Sequence, residues 1–146
     1  RPKVRAVRIV WRRLPKRRRR LISLDITPVV PAGRQLIQSY GGGRFRIAGV
    51  GFEGSVLVRS EEPHPWPVRT PDAITTESLA QLDATEGGIL VIGCGPRFTA
   101  PPADLRAGLK DRGFVLEWMD TGAACRTFNV LLGEERRAVA ALIAVD

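Results

Sequence analysis

Two segments contain the residues whose types and spacing are suited to chemistry. Residues 93–97 read Gly-Cys-Gly-Pro-Arg, and residues 120–126 read Asp-Thr-Gly-Ala-Ala-Cys-Arg. Each follows a predicted strand of a parallel sheet, and ligands favour the crevice beyond the carboxyl ends of such strands. A helix N-terminus and arginine side chains there would suit a carboxylate or a phosphate. The candidate residues of this anion pocket are Gly93, Gly95, Arg97, Asp120, Thr121, Gly122 and Arg126.

Several residues of these two segments also have a purely structural explanation. Gly93 and Gly95 can serve only to turn the chain tightly, since Gly-Cys-Gly matches neither a P-loop nor a dinucleotide fingerprint. Asp120 is the natural N-cap of the following helix and needs no catalytic role. Cys125 lies in the first helical turn, where the helix dipole can activate a thiol. It equally resembles a small buried apolar residue, which is the commoner fate of a free cysteine.

The sequence contains no recognisable catalytic or metal-binding constellation. Cys94 and Cys125 do not form a CxxC pair, and with His64 they do not make a tetrahedral metal site. We interpret His64, in a proline-rich loop, as an exposed side chain. Neither a Ser-His-Asp arrangement nor a pair of carboxylates is visible. We therefore predict no metal and no cofactor, and the pattern favours a non-catalytic protein over a hydrolase.

The second half of the chain is predicted to alternate strands and helices. Residues 89–92 form a continuous apolar run, as in a strand buried on both faces. Pro101 and Pro102 are predicted to open a helix that ends at Gly113, and residues 114–118 form the next strand. A second helix runs from the Asp120 cap to Gly133. Residues 138–145 form a third strand, although their alanines would also permit a helix, and this order is typical of a parallel βαβαβ unit.

The first half is predicted to be an antiparallel meander. Residues 35–59 alternate apolar and polar side chains around a turn at residues 41–43, and a parity switch at Ala48-Gly49 indicates a bulge or a sharp bend. Residues 61–72 contain four prolines and are predicted to be a loop, with Trp66 holding it against the core. Thr75 or Thr76 is predicted to cap a short helix that extends to about residue 84. The fold class is therefore α/β: a single compact domain in which a small parallel βαβαβ portion is joined to an antiparallel β meander.

The positive charge is concentrated at one end of the chain. The net charge is +8, yet residues 1–20 hold 11 of the 23 basic side chains and no acid. The remaining residues contain the other 12 basic side chains and all 15 acidic ones, so their formal net charge is −3. Residues 1–20 are predicted to be a disordered basic leader, and residues 21–146 a single domain. Three interpretations of this leader stay open. It can bind nucleic acid or anionic lipid weakly, it can be a targeting peptide that lacks the usual serines, or it can be a mis-assigned start of the chain.

Length and composition bound the class of protein. A chain of 146 residues with 44% apolar side chains suits one globular domain. Its apolar runs are too short to span a bilayer. Two cysteines and no secretory signal point to a reducing compartment, which is the cytoplasm of a bacterium or the mitochondrial matrix of a eukaryote. If the domain self-associates, a homodimer is the ordinary expectation.

Several sequence blocks together resemble a known family. The blocks are Tyr40, residues 42–47 (Gly-Gly-Arg-Phe-Arg-Ile), residues 52–58 (Phe-Glu-Gly-Ser-Val-Leu-Val), Trp66, residues 89–95, and above all residues 119–132 followed by Glu134, Glu135, Arg136 and Arg137. In this order they resemble the uncharacterised α/β domain family whose mitochondrial members include NADH dehydrogenase (complex I) assembly factor three. The resemblance covers roughly residues 21–146, which is more specific than any single motif.

The resemblance implies a compact α/β domain with a parallel central portion and an added antiparallel sheet. For the mitochondrial members it implies a non-catalytic role, in which they bind partner proteins while the peripheral arm of the respiratory complex is built. Respiratory-complex subunits or other assembly factors are then the expected partners. It supplies no established catalytic residues, and fold analogy alone does not determine function. The alternative hypothesis is a small anionic-ligand-binding protein or enzyme that uses the loops at residues 93–97 and 120–126.

Overall fold

The computed structural model describes the backbone of residues 8–11 and 24–27, and the backbone and side chains of residues 35–86 and 88–146. In these ranges the strands form three sheets, and two helices connect strands of the largest sheet. The strands are β1 Arg8–Trp11, β2 Leu24–Thr27, β3 Ile37–Gly41, β4 Arg44–Ile47, β5 Val50–Glu53, β6 Val56–Val58, β7 Pro63–Pro65, β8 Ile89–Gly93, β9 Val115–Met119 and β10 Ala138–Leu142; the helices are α1 Leu105–Asp111 and α2 Thr121–Gly133.

The central sheet has the strand order β7-β6-β10-β8-β9. Strands β8, β9 and β10 are parallel, while β6 runs antiparallel to β10 and β7 antiparallel to β6. Helix α1 connects β8 to β9, and α2 connects β9 to β10. The predicted α/β class, with a small parallel βαβαβ portion, is confirmed.

The two helices cover opposite faces of this sheet, because alternate residues of each strand enter different cores. Leu90 and Ile92 of β8 pack with α1 and with the segment that follows β7. Val91 packs instead with α2 and with the meander. On that second face β10 presents only small Ala138 and Ala140 beside Leu142, which leaves room for the ring of Phe128 from α2.

The meander consists of β3, β4 and β5 and is closed by two tight turns. Gly42 and Gly43 join β3 to β4, and Ala48 and Gly49 join β4 to β5, all with positive φ. Two-residue hairpins need this left-handed backbone because it matches the twist of the strands. The predicted parity switch at Ala48-Gly49 is therefore a hairpin turn.

Several boundaries differ from the sequence prediction, and β10 ends at Leu142 rather than at Val145. Residues 56–58 leave the meander and join the central sheet, because all three are buried and no polar alternation remains to keep one face in solvent. Residues 63–65, predicted as loop, form the edge strand β7, where proline is tolerated because one side of the strand needs no donors. Asp104 has a φ of +68°, so α1 begins at Leu105 and not at the prolines.

The predicted helix after Thr75 is only a 3₁₀ turn, Glu77–Leu79. Thr75 and Ser78 cap it reciprocally: each backbone amide donates to the hydroxyl of the other residue, at 2.9 and 3.0 Å. Trp66 is buried and its Nε1 donates to the Ser78 carbonyl at 2.8 Å, so this aromatic does hold the segment onto the core.

Within the predicted leader, Arg8–Trp11 pairs with Leu24–Thr27 as an antiparallel ribbon. These four leader residues therefore form a strand, although we predicted disorder for the whole leader. The rest of residues 1–20 lies outside the described residues, and the domain boundary at residue 20 remains a prediction.

Candidate functional site

The carboxyl ends of β8 and β10 meet the first turn of α2 at a joint built around Thr121. The buried Thr121 hydroxyl donates to the Ile143 carbonyl at 2.7 Å and accepts from the Gly95 amide at 3.0 Å. The Thr121 amide donates back to the Gly95 carbonyl at 2.8 Å. A Cβ on Gly93 would lie 2.8 Å from the Thr121 Cα, so only glycine lets helix and strand approach this closely.

Asp120 acts as the predicted N-cap, because its carboxylate accepts from the Ala123 amide at 2.9 Å. Two amides of the first helical turn, those of Thr121 and Ala123, are thus paired within the chain. Gly122 lies against the hydroxyl end of Tyr40, where a Cβ would meet the phenol oxygen at 2.6 Å. The predicted site residues around this turn therefore hold the fold together at the edge where ligands of such sheets bind.

The structure brings some of the predicted pocket residues together and separates others. Gly93, Gly95, Asp120 and Thr121 share the joint. Arg126 is exposed and its Nη1 lies 3.5 Å from the Tyr40 hydroxyl, on the side of α2 that faces the meander. Arg97 is exposed in the loop after β8. The anion pocket formed by all seven residues remains a prediction.

A cleft of about 360 Å³ runs between β3 and α2, and Arg126 lines it together with Tyr40, Cys125 and Asn129. Asn129 forms one wall: its Oδ1 accepts from the Ile37 amide at 2.9 Å and its Nδ2 donates to the Ile37 carbonyl at 2.7 Å. The carboxamide thereby pairs with strand β3 as a neighbouring strand would. Sequence analysis missed this role of Asn129; the available signal was an asparagine, a weak helix former, in the middle of a predicted helix.

Both cysteines are buried. Burial raises the pKa of the Cys125 thiol to about 12, and the adjacent Arg126 lowers it less than burial raises it. The thiolate is the reactive form, so this environment suppresses nucleophilic chemistry at neutral pH. Of the two sequence interpretations, the structure supports a packed apolar residue.

A second polar cluster lies where the segment after β6 meets residues 80–86. Arg59 donates to the Glu86 carboxylate at 3.2 Å, and the Ser60 hydroxyl donates to it at 2.9 Å. Burial raises the pKa of Glu86, but the bonds from Ser60 and Arg59 outweigh this and leave the pKa below its ordinary value. His64 is half-buried and its Nε2 lies 3.0 Å from Arg59 Nη1, so our prediction of an exposed histidine was wrong. The same Nε2 lies 3.7 Å from Glu62 Oε2, so His64 is placed between a guanidinium and a carboxylate.

Over residues 35–86 and 88–146, no group of three or more His, Cys, Asp or Glu side chains is arranged to hold a metal ion. Neither described helix is long and apolar enough to cross a bilayer. Large apolar side chains are nevertheless exposed at several points of the surface. They are Tyr40, Val50, Phe98, Val115 and Val130.

This fold, with its joint at the end of a small parallel sheet, defines an α/β domain of the Mth938-like type. A solved Bordetella pertussis protein described as an Mth938-like domain has 27% sequence identity, covers 82% of this chain and 91% of its own, and superposes with a TM-score of 0.68. Residues 37–143 match the family described as "Protein of unknown function (DUF498/DUF598)", and the chain belongs to this family.

Two further solved structures show the same fold at higher identity. A Rhodopseudomonas palustris protein is 39% identical with a TM-score of 0.66, covering 75% of this chain and 82% of its own. A Bartonella henselae protein, described as an outer membrane protein, is 33% identical with a TM-score of 0.69, covering 78% of this chain and 98% of its own.

Relatives in sequence include one without a known role and several with a named one. An uncharacterised Rhodobacter capsulatus protein is 38% identical over 114 residues, which is 77% of this chain and 86% of the relative. NADH dehydrogenase [ubiquinone] 1 alpha subcomplex assembly factor 3 of Danio rerio is 36% identical over 126 residues, 85% of this chain and 72% of the relative. The human factor of the same name is 32% identical over 109 residues, 73% of this chain and 59% of the relative. The predicted family membership is confirmed.

Proposed function

We propose that this protein is a non-catalytic interaction protein that helps to assemble a respiratory NADH dehydrogenase. The observation that carries this proposal is the similarity to the Danio rerio assembly factor, at 36% identity over 126 residues. The aligned stretch is long enough to include the whole α/β domain, so the similarity extends well beyond a shared motif.

Two features of the surface and the site support this function. An interaction protein must expose apolar side chains that a partner can bury, and Phe98, Val115 and Val130 are each more than half exposed. The polar groups at the sheet's carboxyl edge are largely engaged in intramolecular hydrogen bonds, and burial holds the Cys125 thiol in its unreactive form. These polar groups and this thiol therefore stabilise the packing of the domain.

The expected partners are subunits of the NADH dehydrogenase peripheral arm or other assembly factors. The expected compartment is the cytoplasm of a bacterium or, in a eukaryote, the mitochondrial matrix. Formation of a homodimer remains a prediction. Contact of the basic leader with nucleic acid or anionic lipid also remains a prediction, since most of its basic residues lie outside the described residues.

The proposal is tested by deletion and capture in the organism that encodes the chain. Deleting the gene is expected to reduce assembled NADH dehydrogenase on native gels, and re-expressing the full chain is expected to restore it. The tagged full chain is expected to enrich peripheral-arm subunits from gently solubilised extract, measured by quantitative mass spectrometry against an untagged strain. Normal assembly after deletion, together with no enrichment of such subunits, would contradict the proposal.

A second candidate function is the binding of a small anion, and the placement of Arg126 favours it. Its guanidinium lines the cleft between β3 and α2 beside the Tyr40 hydroxyl, so a carboxylate or phosphate there would meet one cation and one donor. The pocket predicted from sequence also includes Arg97 and the first turn of α2, which do not line this cleft.

Thermal shift with a panel of carboxylates, phosphates and nucleotides tests this candidate. A ligand at about a hundred times its Kd should stabilise the fold by roughly 2.7 kcal/mol, and Arg126→Ala should abolish the shift. Arg46→Ala, which removes an exposed arginine of β4, is the matched control and should leave the shift unchanged. A shift that survives Arg126→Ala would place the ligand elsewhere and contradict this candidate.

A further inference from the structure

The edges of the two larger sheets differ in how they are closed to further strands. An exposed edge presents unpaired amides and carbonyls that can pair with another chain. At β7 the edge holds Pro63 and Pro65, which have no N–H to donate. At β3 the carboxamide of Asn129 already occupies the backbone groups of Ile37. At β5, Gly51 weakens the strand.

Strand β9 is the other edge of the central sheet, and it contains neither proline nor glycine. The amide of Val115 donates to Gly88, and the carbonyl of Met119 accepts from Cys94, so the odd-numbered residues of β9 face β8. In a parallel ladder the alternate residues then point away from it. The amides of Leu116 and Trp118 and the carbonyl of Trp118 therefore face outward, without a backbone partner among the described residues. Only the Leu116 carbonyl is engaged, by Arg106 Nη1 at 3.1 Å.

Apolar side chains lie near both ends of this edge. Val115, at the start of β9, is 62% exposed, although its neighbour Leu116 is buried under α1. At the other end, the Trp118 indole donates to the Thr99 carbonyl at 2.6 Å, which holds the loop that carries Phe98 beside β9. Phe98 is also 62% exposed. An added strand would find an apolar contact at each end.

The negative charge of Glu117 on β9 disfavours a second copy of this chain as the partner and favours a segment with a cationic side chain. Glu117 is exposed at the centre of the strand, on the same face as Val115. In an antiparallel pair of two β9 strands, the outward backbone groups of both copies pair when Leu116 of one copy lies opposite Trp118 of the other. This register sets Glu117 opposite Glu117. Like charges directly opposite each other destabilise such a pair, whereas a lysine or arginine there would stabilise it.

We propose that the free edge of β9 binds an extended segment of a partner protein, which adds to the central sheet as a sixth strand. The segment carries an apolar side chain over Val115 and a cationic one opposite Glu117, and its backbone pairs with Leu116 and Trp118. This inference rests on the proposed function as an interaction protein, because it names the surface through which a partner is bound.

The probe for this edge is a labelled extended peptide that carries valine and lysine two residues apart, so that both side chains lie on the same face of the added strand. Its binding to the full chain is measured by fluorescence anisotropy. We expect saturable binding, together with slower hydrogen exchange at the Leu116 and Trp118 amides. A peptide of the same sequence that is N-methylated on alternate residues should bind about tenfold more weakly, because it cannot complete the ladder. Glu117→Lys should weaken binding of the unmodified peptide by a similar factor.

The matched control is Glu61→Lys, which makes the same charge change at an exposed residue beyond β6, and it should bind as the wild type does. Equal melting temperatures of the three proteins exclude a folding defect. The proposal is overturned by absent peptide binding, by equal binding of the N-methylated peptide, or by full affinity in Glu117→Lys. It is also overturned if a dimer of this chain alone protects the Leu116 and Trp118 amides, since the edge would then belong to a second copy.

Failure of this inference is distinguishable from failure of the proposed function. If both the wild type and Glu117→Lys capture NADH dehydrogenase subunits equally, the assembly role stands and the β9 edge is not its contact. If the peptide binds β9 but no respiratory subunit is captured, the edge is a strand-binding surface that serves another partner.

Discussion

The Thr121 hydroxyl donates a 2.7 Å hydrogen bond to the carbonyl of Ile143, and this bond ties the first turn of α2 to the end of β10. The same oxygen accepts from the Gly95 amide at 3.0 Å, so one side chain links the ends of β8 and β10 to the helix. This polar side chain can be fully buried because its hydroxyl both donates and accepts a hydrogen bond.

Replacing Thr121→Val keeps the shape of this side chain and removes both hydrogen bonds. The buried Gly95 amide and Ile143 carbonyl then lose a partner, and we expect the free energy of unfolding to fall by about 2 kcal/mol. Urea denaturation measures this change. Thr127→Val is the matched control in the same helix, where among the described residues the hydroxyl bonds only to the Met119 sulfur, and it should cost much less.

Adding a methyl group at Gly93 should also destabilise the joint. The new Cβ of Gly93→Ala would lie 2.8 Å from the Thr121 Cα and 2.9 Å from its hydroxyl, so α2 must move away from β8. We expect a loss of about 1–3 kcal/mol in thermal or urea unfolding. Gly51→Ala is the control, because a Cβ there meets nothing within 4 Å; similar losses in both variants would show that close packing at Gly93 is unimportant.

Asn129→Ala tests the carboxamide that pairs with Ile37. Both Ile37 backbone groups lose a partner beside a buried side chain, and we expect a loss of about 2 kcal/mol in stability. Faster hydrogen exchange at the Ile37 amide should accompany it. The neighbouring variant Val130→Ala, at an exposed helix position, should change stability by less than about 0.5 kcal/mol.

Thiol labelling tests the buried state of Cys125. Because burial raises its pKa to about 12, the thiol remains protonated between pH 7 and pH 9. In a Cys94→Ala background, a disulfide reagent should label the native protein only as fast as the chain opens, and the unfolded protein immediately. Rapid stoichiometric labelling of the native state would show instead that Cys125 is activated.

The Glu86 cluster predicts a pH dependence of stability. The folded-state pKa of Glu86 lies below its ordinary value of 4.5, so ionised Glu86 stabilises the fold above that pH, and this contribution is lost as the pH falls through the lowered pKa. Glu86→Gln should therefore be less stable than the wild type at pH 7, by on the order of 1 kcal/mol.

The difference between Glu86→Gln and the wild type should diminish as the pH falls through the lowered pKa of Glu86. Glu77→Gln, at an exposed carboxylate without a bond to Arg59, should show no comparable change. A pH-independent difference for Glu86→Gln would mean that the carboxylate charge contributes nothing.

Local sequence was sufficient for most of the elements and for part of the candidate site. The unbroken apolar run at 89–92 identified a strand covered on both faces, and Asp120 and Gly133 marked both ends of α2. Because the carboxyl ends of parallel strands lie at one edge of the sheet, the sequence also predicted that Gly93 and Gly95 lie close to Asp120 and Thr121. These inferences succeed because periodicity, caps and strand direction act over a few residues.

Tertiary structure decided the features that depend on distant partners. Val56–Val58 joins β10, more than 80 residues away, and not the adjacent meander, because burial of both faces outweighs proximity in the chain. Asn129 pairs with Ile37 across 92 residues, and Tyr40 covers Gly122, although neither contact has a local signature. The edge position of β9 in the described part of the chain likewise emerges only from the strand order, since which strand lies at an edge depends on how all the strands are paired.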